Sequence, residues 1–168
     1  MIQENTSRGL RNNNPLNIRH STDRWRGARA GQTDSEFVQF TSMAYGYRAA
    51  WKTLQSYYNR FCQQSKPFTV RNIIHRWAPP NENDTQAYIR TVVQLSGIGE
   101  EENLLPPKDV NSYIRLSGLL AAMACMECGL SYKKVDNEAI FKGYRLAFPE
   151  NVKALDEWLE AEDEYSNW

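Results

Sequence analysis

The stretch Tyr113-Ile114-Arg115-Leu116-Ser117-Gly118-Leu119-Leu120-Ala121-Ala122-Met123-Ala124-Cys125-Met126-Glu127-Cys128-Gly129 holds the most apolar run in the chain. From Leu116 to Met126 it is apolar nearly all round, the pattern of a helix enclosed by a core rather than laid on a surface. Asp109 ahead of it is a capping residue, and Gly129 stands where a left-handed terminating residue belongs, so the helix runs to about Glu127. Tyr113, Leu116, Leu120 and Met123 precede Glu127 by 14, 11, 7 and 4 residues and share its face. A single carboxylate thus emerges at the end of a core stripe, beside the negative end of the helix dipole. That placement suits a general acid. The plain alternative is a surface glutamate in a last helical turn.

Other helices are expected around this one. Tyr47, Ala50, Trp51, Leu54, Tyr57, Tyr58 and Phe61 recur at helical spacing and give an amphipathic helix over 43–62. Thr69 caps a shorter helix carrying Val70, Ile73, Ile74 and Trp77, which Pro79-Pro80 stops. Asp84 or Thr85 opens another, with Tyr88, Val92 and Leu95 on one face and Gly97 past its end. Residues 136–147 and 150–163 read as two more. Residues 1–42, by contrast, are polar and lack helical periodicity. Within them Leu16-Asn17-Ile18-Arg19 and Glu36-Phe37-Val38-Gln39-Phe40 alternate as short strands do, with turn chemistry at Asn14-Pro15 and from Gly27 to Asp34. The expected fold is therefore α+β, mainly α, with a small β-hairpin sheet. The main domain spans 1–132, with the hairpin region at 8–42 and helices over 43–128. Residues 133–168 form a helical extension packed on the same domain.

Composition narrows the function. Net charge is zero across 168 residues, but residues 1–30 hold six arginines against Glu4 and Asp23, while seven acids and one lysine follow from Pro149 onward. A basic front suits an anionic partner or simply a solubilising surface. Nucleic acid is disfavoured as a partner, because no helix-turn-helix, RNP or zinc pattern accompanies the charge. Cys125 and Cys128 lie inside the apolar helix, with no further cysteine pair or histidine cluster to complete a metal site, and read as buried free thiols. No metal or organic cofactor is expected. No apolar run approaches the length of a membrane span, and Met1–Asn5 do not open a signal peptide. The expectation is synthesis in the cytoplasm, with association with a virion or release to the cell wall by another route.

Two further segments carry candidate chemistry. Arg8-Gly9-Leu10-Arg11-Asn12-Asn13-Asn14-Pro15-Leu16-Asn17-Ile18-Arg19 offers amides that donate and accept together, as sugar hydroxyls and N-acetyl groups demand. It reads equally as a structural loop, since asparagine tolerates left-handed backbone. Arg76-Trp77-Ala78-Pro79-Pro80-Asn81-Glu82-Asn83-Asp84-Thr85, with Tyr88 one turn on, sets aromatics beside a rigid polar loop. That suits a saccharide face or a helix-to-helix corner, with Glu82 as a network or capping residue.

Taken in order, the asparagine segment, Trp25-Arg26-Gly27, Glu36-Phe37-Val38-Gln39-Phe40, Tyr45-Gly46-Tyr47-Arg48-Ala49 and the Trp77-Ala78-Pro79-Pro80 string resemble a lysozyme-like family of bacteriophages and prophages, often labelled virion structural proteins. The resemblance covers roughly Arg8 to Gly129. The asparagine segment is also similar to the stretch that follows the catalytic glutamate in cell-wall glucosaminidases and lytic transglycosylases. In those relatives the glutamate helix comes first, whereas here too little chain precedes Arg8. An apolar helix ending in a glutamate stands instead at Leu119–Gly129, so the chain reads as a circularly permuted lysozyme-like domain. The resemblance implies cleavage of β-1,4 bonds between aminosugars in peptidoglycan. Glu127 is then the acid, and Asn13, Asn14, Asn17, Trp25, Tyr45, Trp77, Glu82 and Tyr88 are substrate-facing. Asp34 and Glu36 are the candidates for the second carboxylate a hydrolase ordinarily uses, about 5–5.5 Å away for retention or 6.5–9.5 Å for inversion. With neither in reach, a lytic transglycosylase needs only the one acid. Glycan strands and other virion proteins are the implied partners, and the rival is a non-catalytic glycan-binding or structural part.

Overall fold

Helix α5 (Tyr113–Cys128) is the element the others enclose: Leu116, Leu119, Leu120, Ala122, Met123 and Ala124 are fully buried. The computed structural model describes residues 6–166; residues 1–5, where the signal-peptide reading falls, lie outside the described residues. The remaining helices in chain order are α1 (Arg8–Arg11), α2 (Met43–Gln63), α3 (Val70–Trp77), α4 (Thr85–Ser96), α6 (Asn137–Ala147) and α7 (Val152–Ser166). The Asp109 side chain caps a short 3-10 turn that leads into α5, and Gly129 ends α5 at φ 64°. Thr69 and Asp84 cap α3 and α4 as their spacing implies.

α5 packs against α4 and α6, α3 lies on α4, and α2 runs along α6. The α2–α6 seam is close. A Cβ on Gly143 would sit 2.7 Å from Tyr47 Cβ and 2.8 Å from the Arg48 amide nitrogen. Trp51 is fully buried in this seam, donates Nε1–H to the Ile140 carbonyl at 3.0 Å, and meets Tyr144 edge-on at 5.0 Å between ring centroids. The segment after residue 132 therefore forms part of the core through Ile140, Tyr144 and Ala147. Among the described residues no helix is long and apolar enough to cross a membrane.

The expected hairpin sheet does not form. The chain is all-helical, with two isolated antiparallel bridges, Arg19–Phe37 and Ala28–Phe40, and no sheet among the described residues. This overturns the α+β lysozyme-like fold, and its permuted version with it. The cause is the asparagine segment. Asn14 is fully buried and its side chain takes the places of neighbouring strand backbone: Nδ2 donates to the carbonyls of Ile18 and Val38 at 2.9 and 2.8 Å, and Oδ1 accepts from the Ile18 amide at 2.8 Å. Asn13 and Asn17 both adopt φ 50°, a left-handed backbone no extended strand contains. Alternation fails as well. Val38, Gln39 and Phe40 are buried in succession, and Gln39 Oε1 accepts from the amides of Thr33 and Asp34 while Nε2 donates to Asn12.

Charge closes the same segment. Asp34 accepts a two-pronged pair of bonds from Arg8, each 2.6 Å, a bond from Asn12 Nδ2 at 2.8 Å, and the amides of Glu36 and Phe37 at 2.9 Å. The Arg8 guanidinium, followed by the Phe37 amide, holds its carboxyl well below the usual carboxylate range. Glu36 pairs with Arg8 at 2.9 Å and with Arg19. Both acids thus serve the scaffold. The segment is seated on α2 at Gly46, where a Cβ would lie 2.0 Å from the Asn13 carbonyl oxygen.

Two outcomes follow. Gly46→Ala lowers unfolding free energy by about 1–3 kcal/mol in urea titration, because backbone must move, whereas Gly31→Ala, which meets nothing within 4 Å, changes it by less than about 0.5 kcal/mol. The depressed Asp34 carboxyl contributes stability that is fully present above its unfolded value near pH 4 and is lost as pH falls below it. Asp34→Asn therefore flattens the acid limb of the stability curve below about pH 4, measured by denaturant midpoint against pH.

Candidate functional site

The end of α5 delivers Glu127 to the point where α3, α4 and the asparagine segment meet. Trp77 is the last residue of α3, which breaks at Ala78-Pro79-Pro80, and Asp84 restarts the chain as α4 with Tyr88 one turn in. Both aromatics turn to the same oxygen. Trp77 Nε1–H donates to Glu127 Oε1 at 2.9 Å, and the Tyr88 hydroxyl donates to it at 3.1 Å. Asn17 Nδ2 donates at 3.2 Å to Glu127 Oε2 and at 3.2 Å to the Glu127 backbone carbonyl. The carboxyl is therefore oriented from three sides by neutral donors, and among the described residues no ion pair reaches it. Burial, then the neighbouring Glu127 charge, pushes the Tyr88 phenol well above its ordinary value, so it remains a donor.

Backbone chemistry explains why Asn17 reaches so far along the chain. Gly9 packs against Cys128, where a Cβ would stand 2.8 Å from Sγ, and the Cys128 thiol donates to the Pro15 carbonyl at 3.3 Å. Burial pushes that thiol up to about 11, so it stays protonated and able to donate. Cys125 and Cys128 are both free and buried, and Cys62 is free and exposed.

Glu127 lines a cleft of about 410 Å³ together with Asn17, Trp25, Tyr57, Trp77 and Glu82, within the size range of small-ligand sites. Two atoms here are buried without a hydrogen-bond partner among the described residues: Asn17 Oδ1 and Trp25 Nε1. Leaving such atoms unpaired costs about 1–3 kcal/mol each, and a polar ligand in the cleft would supply the missing partners.

Several expected residues stand elsewhere. Asn14 has both ends of its amide used by backbone, and Asn13 donates Nδ2 to the Phe40 carbonyl at 3.1 Å; neither lines the cleft. Tyr45 packs over Gly27 instead. Asp34 and Glu36 are held in the arginine pairs described above and do not line the cleft. The structure brings Glu127, Asn17, Trp25, Trp77 and Glu82 to one cleft, with Tyr88 behind the acid. It adds Asp23, Tyr57 and Asn83, which sequence reasoning did not select. Asp23 lies in a turn without periodicity, and Tyr57 reads as one more residue of an apolar helix face. The adjacency of Asn83 to Glu82 in a proline-ended loop was the available signal.

No known protein-family model matches the chain. A curated relative does: protein P5 of Pseudoalteromonas phage PM2 is 34% identical over 145 residues, covering 84% of this chain and 82% of that protein. Identity of that extent across most of both chains establishes shared descent, and the chain belongs to the family of phage PM2 protein P5.

Proposed function

We propose that the chain cleaves the β-1,4 bond between aminosugars of peptidoglycan, with Glu127 as general acid. The observation that carries this reading is the Glu127 carboxyl at the wall of a polar, aromatic-lined cleft, oriented by Trp77, Tyr88 and Asn17. A general acid must meet the leaving oxygen in a fixed direction, and three donors on one carboxyl supply that direction. Trp25, Tyr57 and Trp77 offer flat apolar faces for sugar rings, while Asn17 and Asn83 offer amides for hydroxyl or N-acetyl groups. During proton transfer the Glu127 proton moves to the glycosidic oxygen, and the resulting carboxylate is received by the same donors. With Asp34 and Glu36 committed to arginines, a hydrolytic route takes its second carboxylate from Asp23 or Glu82, the other acids lining the cleft. Without one, the substrate's own hydroxyl attacks the anomeric carbon as the glycosidic C–O bond breaks, its proton passes to the Glu127 carboxylate, and the product is an anhydro sugar.

A second reading has one observation in its favour: Glu127 is already satisfied by three partners, as a structural glutamate is. In that case the chain is a glycan-binding or structural part of a phage particle, and its other partners are virion proteins. The phage relative is compatible with both.

The experiment is turbidity clearing of purified cell walls. Glu127→Gln abolishes clearing without shifting the melting temperature by more than a few degrees; clearing that persists at the unsubstituted rate removes Glu127 from the role. Trp77→Phe keeps the ring and deletes the donor, and lowers kcat about tenfold with KM little changed. An unsubstituted protein that binds walls of every chemistry tested and clears none supports the second reading.

A further inference from the structure

The cleft does not end at Trp25. A second depression of about 600 Å³ continues from it, sharing Asp23, Trp25, Thr53 and Tyr57, and its wall carries Arg24, Arg48, Lys52, Arg60 and Arg76. Among the described residues none of these five cations forms an ion pair, and they gather around one depression in which Asp23 is the one acid of the lining. The arginines of the front differ in what they hold. Arg8 and Arg19 hold acids, while Arg11 and Arg29 hold backbone carbonyls within the same segment. The arm's charge comes from Arg24, from Arg48, Lys52 and Arg60 on α2 and from Arg76 on α3, with Arg48 also donating Nε–H to the Leu146 carbonyl at 3.4 Å. Arg76 lies over the Tyr57 ring at 4.9 Å and Lys52 over the Phe148 ring at 5.0 Å, which fixes two of the cations without neutralising them. Burial, and then repulsion from Arg26, lowers the Arg48 value.

Resting on the glycosidase reading of the Glu127 site, we propose that this basic arm binds the carboxylates of the peptide stem carried by a sugar in the adjacent cleft. Stem-bearing strands are then preferred over bare glycan. Guanidinium groups recognise carboxylates with two parallel bonds, and an arm that opens directly from the sugar cleft places them at one side of the scissile bond. A nucleic acid meets the same cations, but the arm runs into a cleft lined by Glu127, Glu82 and Asp23, where the lining cation Arg19 is already paired with Glu36. Those carboxylates repel a phosphate backbone and tolerate a neutral sugar.

The test uses the Glu127→Gln protein so that strands are not consumed. Affinity is measured for soluble peptidoglycan strands of matched length with stems intact, the same strands stripped by an amidase, and a short duplex DNA. The expected result is about tenfold tighter binding of stem-bearing than stripped strands, an advantage that shrinks as salt is raised. It disappears in the Arg24→Gln, Arg60→Gln, Arg76→Gln combination, whose folding is checked by its melting curve. Should that combination fail to fold, the stem advantage and its salt dependence in the parent protein decide the matter alone. Equal affinity for both strands overturns the arm while leaving the glycan site standing. Tighter binding of DNA than of stem-bearing strands overturns it in favour of nucleic acid. Absence of binding to either strand removes the glycan reading and the arm together.

Discussion

α5 is apolar over most of its length, and burying all but its exposed Ile114, Arg115 and Met126 positions is the constraint that organises the molecule. Covering it takes α4 and α6 directly, with α2 along α6 and α3 on α4 behind them. Burial continues to the last residue, Cys128, but Glu127 just before it is only partly buried and reaches the cleft, and Gly129 turns the chain out. The place where it surfaces is therefore a junction of several elements and not an open face. Trp77 at the end of α3, Tyr88 in α4 and Asn17 from the front segment converge there because each belongs to an element required to cover α5 or to seal its end.

The front segment shows how asparagine can replace a sheet. Asn14 satisfies two carbonyls and an amide with one buried side chain, so residues 16–20 and 36–40 lie near one another with few bonds between their backbones. Gln39 does the same work for the 33–34 turn, and Asp34 gathers Arg8, Asn12 and two amides. A buried network of this kind must be complete, since each unpaired member is costly. Its rigidity holds Asn17 in a left-handed conformation against Glu127.

What was legible in the sequence follows from these physical differences. Helices α2 to α6 have strong apolar periodicity and capping residues at Thr69, Asp84 and Gly129, and they lie within a few residues of the expected spans. The hairpin was misread because alternation over Glu36–Phe40 is a local pattern, while the competitor for its hydrogen bonds, Asn14, lies more than twenty residues away. Short α1 had no periodicity to betray it. At the site, the convergence on Glu127 could be argued from a core stripe, but the division of labour among asparagines could not. Asn13, Asn14 and Asn17 are the same residue type within five positions, and only their hydrogen-bond partners in the folded chain separate scaffold from cleft. Asp34 and Glu36 looked available as acids until Arg8 and Arg19 were seen to hold them. The basic arm was partly concealed by its origin, since Arg48, Lys52, Arg60 and Arg76 come from helices beyond the arginine-rich front.

The central claim is that the cleft around Glu127 receives a glycan. It is tested most directly by titrating isotope-labelled protein with a soluble peptidoglycan oligosaccharide while following the Trp77 and Trp25 indole N–H and the Asn17 side-chain amide resonances. The account predicts saturable shifts at all three, reproduced in Glu127→Gln apart from those that report contact with the missing charge. Saturable shifts confined to residues outside the cleft, or no shift at millimolar oligosaccharide, contradict it.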